Sequence, residues 1–68
     1  MELPNQEIIQ KLVEKAIEIS KNSRQEIERN CWMVVHEYLH GVMPSEYDIR
    51  EIDEDLYLAI LKRVRELN

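Results

Sequence analysis

Sixty-eight residues, a net charge of −5 and a single cysteine bound the problem before any motif is read. A chain this short makes one domain near the lower limit for a self-sufficient core, so it leans on regular helix packing, a metal or a partner. One cysteine excludes an internal disulfide and a cysteine-rich zinc finger and fits a reducing compartment, and the acidic balance disfavours a phosphate-backbone binder.

The opening residues lack a basic stretch followed by an apolar one, and no apolar run approaches membrane-spanning length. The expectation is a cytoplasmic protein with no membrane and no nucleic acid among its partners.

In chain order, Asn5 follows Pro4 and is placed to cap a first helix. Ile8, Ile9, Leu12, Val13, Ala16 and Ile17 then fill one half of a helical cylinder at ~100° per residue. Lys11, Glu14, Lys15, Glu18 and Lys21 fill the other half. The apolar repeat fails where Ser20 and Arg24 stand, and Ser23-Arg24-Gln25-Glu26 reads as a capping box. The pattern therefore predicts helices over 5–21 and 23–40. Gly41 serves as the C′ residue of the second, whose core face is Ile27, Cys31, Val34, Val35, Tyr38 and Leu39.

After Pro44, Ser45 to Asp48 makes a box-like start, and a short helical turn is expected over 45–51. A helix continued through this region would bury Asp53 without a partner. Asp53 is better read as the N-cap of a last helix over 53–67, with Ile52 and Tyr57 as a hydrophobic staple. No segment alternates with period two over a useful length. The fold class is all-α: one domain, residues 1–68, a three-helix bundle with an extra helical turn before the last helix.

The chemistry concentrates in His36-Glu37-Tyr38-Leu39-His40, an H-E-x-x-H pattern. At ~100° per residue the two histidines point the same way one turn apart, as two ligands of one metal must. Glu37 lies to their side, where a base for metal-bound water would reach. The motif and its flanks resemble the zincin metallopeptidases, which implies zinc on His36 and His40 and a catalytic Glu37. The departures are a missing H-x-x-G-x-x-H extension and the lack of a substrate-holding strand; Glu51, Glu54 and Asp55 fall where a later acidic ligand could stand. Three readings follow: exposed histidines with no function, a non-catalytic zinc clip closed by a two-fold dimer, and a hydrolase. The sequence favours them in that order, so no cofactor is expected and zinc is the alternative.

The remaining candidates are surfaces. Residues 45–55 carry a net −5 (Glu46, Asp48, Glu51, Asp53, Glu54 and Asp55 against Arg50). That is helix-dipole matching or an acidic patch for a basic partner. Trp32, Met33, Tyr47, Leu58 and Leu61 fall off or at the edge of the core stripes and read as a second apolar surface for a partner or a homodimer. Cys31 reads as a buried thiol. The sequence thus favours a small acidic protein-interaction module, a regulator or inhibitor that binds a protein partner or itself, over chemistry. A structural subunit of a larger assembly is a third possibility.

Overall fold

The computed structural model describes residues 3–22, 24–42 and 52–67. Every regular element among them is a helix: α1 (Gln6–Ile19), a 3₁₀ turn (Arg24–Glu26), α2 (Ile27–His40) and α3 (Glu54–Leu67). Each of the three α-helices packs against the other two. The chain is an all-α three-helix bundle. The turn expected over 45–51 lies outside the described residues.

Two helix starts follow the capping chemistry read from the sequence. Asn5 is the N-cap of α1, its Oδ1 accepting from the Ile8 amide at 3.0 Å. Asp53 does the same for α3, its Oδ1 accepting from the amides of Asp55 at 3.0 Å and Leu56 at 3.3 Å. Glu54 and Asp55 add carboxylates in the first turn and Arg65 a cation in the last, matching the helix dipole. Ile52 and Tyr57 are half-buried and pack against the core. Asp53→Ala is expected to cost about 1 kcal/mol, which in a domain of this size lowers the melting temperature by roughly 4–8 °C. Thermal unfolding followed by far-UV circular dichroism reads it directly.

The start of α2 differs from the expectation. The chain first makes the 3₁₀ turn Arg24–Glu26, and the α-helix begins at Ile27 rather than at residue 23. Glu26 stands at the N-cap position without a side-chain capping bond, and its carboxylate accepts from the Arg29 guanidinium at 3.1 Å. The end of α2 is as read: Gly41 adopts φ +77° and its amide donates to the Glu37 carbonyl at 2.8 Å. That left-handed conformation is one a side chain disfavours.

The core joins Ile9, Leu12, Val13 and Ala16 of α1, Cys31, Val34 and Val35 of α2, and Leu56, Ile60, Leu61 and Val64 of α3. Two sequence expectations about the core do not hold. Trp32, placed at its edge, is 0% exposed, and Tyr38, placed on the core face, is 43% exposed. The buried arc on α2 runs from Asn30 through Val34, Cys31 and Val35 to Trp32. At 100° per residue that arc spans about 200°, wide enough to take Trp32 inside. Tyr38 falls within the arc by angle, but in the last turn, past Val35, the last buried residue of the helix.

Where the apolar repeat of α1 fails, a polar contact takes over. Ser20, the C-cap of α1, is 2% exposed and Asn30 is 5% exposed. The Asn30 amide donates to Ser20 Oγ at 2.9 Å and leans on the Ile19 carbonyl at 3.4 Å. Buried polar groups persist only when paired in this way.

Candidate functional site

The open strip of α2 carries Arg29, Met33, His36, Glu37 and His40, all half-buried except the exposed His40. It lies opposite the Val34–Val35 side, so His36, Glu37 and His40 are displayed at the surface by the same periodicity that buries their neighbours. The two imidazoles stand one turn apart with ring centroids 4.6 Å apart and planes tilted by 51°. The buried Trp32 ring backs His36 at a centroid distance of 5.3 Å.

His36 Nδ1 lies 3.1 Å from the Val42 carbonyl oxygen, just past Gly41. A carbonyl can only accept, so Nδ1 is the donor and carries the proton. The neutral ring then has its lone pair on Nε2, the tautomer found in metal-ligating histidines whose second nitrogen is held by a carbonyl.

Glu37 does not share this arrangement. Its carboxylate is ion-paired with Lys15 across the α1–α2 interface. Lys15 stands 22 residues earlier in the chain and is placed there by helix packing. In the zincin-like reading Glu37 is the base for metal-bound water. Here the ion pair with Lys15 draws it toward α1. Among the described residues, no three His, Cys, Asp or Glu side chains converge on one point. The pentapeptide therefore supplies two candidate metal ligands and one interhelical ion pair.

The other candidates separate into groups. Trp32, 0% exposed, belongs to the interior and offers a partner no surface; Leu61 is 6% exposed, whereas Leu58, one turn from it on α3, is 51% exposed. Met33 is half-buried on the histidine strip, and Glu54 and Asp55 are exposed on the first turn of α3. Tyr47, Glu46, Asp48 and Glu51 lie outside the described residues. A shallow depression of about 530 Å³ is lined by Leu58, Leu61, Lys62, Arg65 and Glu66. Arg65 at its rim also donates to Glu28 at 2.6 Å, tying α3 to α2.

Cys31 is fully buried. Burial pushes its thiol up to about 11 from an ordinary 9.0, with Arg65 pulling down and Glu28 pushing up more weakly. Such a thiol stays protonated and is a poor nucleophile at neutral pH. It is a packing residue.

No helix among the described residues is long and apolar enough to cross a membrane. No curated protein and no solved structure is significantly similar to the chain. A family described as a domain of unknown function, DUF8662, matches residues 7–68. That span takes in α1 from its second residue, all of α2 and α3, the histidine strip and the α3 depression, and the chain belongs to the DUF8662 family.

Proposed function

We propose that this domain is an interaction module, a regulator or inhibitor that works by binding a protein partner through the outer side of α3. The observation that carries the reading is Leu58, a large apolar side chain half open to solvent on a helix whose neighbouring turns are charged. It sits at the edge of the Leu58–Leu61–Lys62–Arg65–Glu66 depression. An apolar anchor beside a polar rim is the arrangement in which a few residues carry most of a binding energy. Glu54 and Asp55 put two exposed carboxylates on the first turn of α3, which favours a partner with a basic region.

The test compares partner recovery by wild-type chain, Leu58→Asp and His40→Ala, followed by titration of the purified partner. A partner retained by His40→Ala and bound at least tenfold more weakly by Leu58→Asp supports the α3 face. Equal binding by Leu58→Asp overturns it. The substitution is at an exposed position and is expected to change stability by no more than about 0.5 kcal/mol.

A second reading, zinc binding by His36 and His40 without catalysis, has its own support in the hydrogen bond from His36 Nδ1 to Val42. Elemental analysis of tag-free chain purified without chelator tests it. A hydrolase is the weakest form of that reading, given the Lys15–Glu37 pair.

A further inference from the structure

We infer, resting on the interaction reading above, that the partner for the outer side of α3 is a second copy of this chain, the two α3 helices lying antiparallel across a two-fold axis. On α3, Glu54, Leu58, Leu61 and Arg65 follow the spacing i, i+4, i+7, i+11. At 100° per residue that spacing gathers them within about 60° of the helix surface, and it is the spacing at which paired helices meet. Leu58, Leu61 and Arg65 line one depression, with Leu61 at 6% exposure as its floor and Leu58 half open to solvent at its edge.

The charges along this seam are sorted by end. Glu54 and Asp55 are exposed on the first turn, and Lys62 and Arg65 are exposed toward the other end. The basic region that the acidic turn favours in a partner is therefore present on the same helix. Laid parallel, two α3 helices set Glu54 against Glu54 and Arg65 against Arg65. Laid antiparallel, with the axis midway between Leu58 and Leu61, they set Glu54 of each copy against Arg65 of the other. Leu58 of each copy then seats over Leu61 of the other, and Asp55 and Lys62 meet along one flank.

Arg65 gives one guanidinium nitrogen to Glu28 of α2 at 2.6 Å and keeps its remaining donors for a second carboxylate. Glu66 falls about 100° round the helix from Arg65 and off the seam. Each copy contributes the same patch once, so association closes at two. A contact one helix long, about 21 Å, lies at the small end of protein interfaces, and the dimer is accordingly weak and concentration-dependent.

The experiment is sedimentation velocity on the tag-free chain at concentrations from about 10 µM to about 1 mM, bracketing the weak affinities that small interfaces give. The expected result is a mass that doubles toward the top of that range. Leu58→Asp, at an exposed position, is expected to keep the wild-type circular dichroism and to remain monomeric throughout. Glu54→Gln and Arg65→Gln, also at exposed positions, move the net charge in opposite directions. Both are expected to weaken the dimer about threefold or more, because each removes one partner of an exposed ion pair that the two-fold axis repeats. Strengthening by Glu54→Gln, the result of a parallel pairing or of general repulsion between acidic chains, overturns the antiparallel seam. A wild-type chain that stays monomeric at about 1 mM overturns self-pairing. A dimer that survives Leu58→Asp uses another face and overturns it too, whereas the α3 reading itself falls only with equal partner binding by Leu58→Asp.

Discussion

Replacing Trp32 by alanine is expected to unfold most of the protein. The side chain is fully buried, and truncating a buried tryptophan costs about 3–5 kcal/mol in lost transfer energy and residual cavity. A core in a domain of this size rarely supplies more than about 3–5 kcal/mol in total. The loss therefore matches the whole margin. Urea titration followed by far-UV circular dichroism should show little or no native baseline for Trp32→Ala, while Leu58→Asp keeps its midpoint. A contact-surface tryptophan would give the opposite pattern, with stability unchanged and partner binding lost. Because the chain has a single tryptophan, its emission in the native protein reports this one site, and a red shift on unfolding follows the same transition.

The second large effect is alkaline. The folded Cys31 thiol titrates at about 11 against an ordinary 9.0, so the fold favours the protonated form. Its contribution is complete below pH 9 and is lost as the pH rises from about 9 to about 11, where the unfolded chain ionises and the folded one does not. At 1.36 kcal/mol per pH unit the loss is about 2–3 kcal/mol. Lysines and tyrosines titrate in the same range, so the measurement is a difference: unfolding free energy against pH for wild type and for Cys31→Ala. The wild-type curve should fall more steeply between pH 9 and 11. Parallel curves would show that the thiol is not held protonated by the fold.

The sequence made the ends of the helices legible and the width of their buried faces less so. Asn5, Asp53 and Gly41 act within a few residues of their own position, so their chemistry can be read locally. The start of α2 was read from a capping box whose Ser23 lies outside the described residues; its Glu26 pairs with Arg29. Trp32 and Leu61 were misplaced for a different reason: the stripes drawn from spacing alone were too narrow, whereas the buried arc widens to about 200° on α2 and about 140° on α3, each helix packing against two others. Asn30 and Ser20 were hidden by their polar character, since nothing in either residue announces a partner ten positions away. For the candidate site, the shared direction of His36 and His40 follows from the four-residue spacing. The Lys15–Glu37 pair and the Val42 hydrogen bond depend on how separate segments meet, and no local pattern encodes that.

The Asn30–Ser20 contact also bears on which of several near-equal packings the chain adopts. Apolar side chains attract without direction, so sliding α2 along α1 by one turn, about 5.4 Å, could exchange one set of greasy contacts for another at small cost. The Asn30 amide would then be buried away from the Ser20 hydroxyl and the Ile19 carbonyl. A stranded buried amide costs about 1–3 kcal/mol, enough to make the shifted arrangement roughly five- to 150-fold rarer than the native one. One hydrogen-bonded pair thus acts as a register key, giving a bundle with little core to spare a single alignment rather than a family of them.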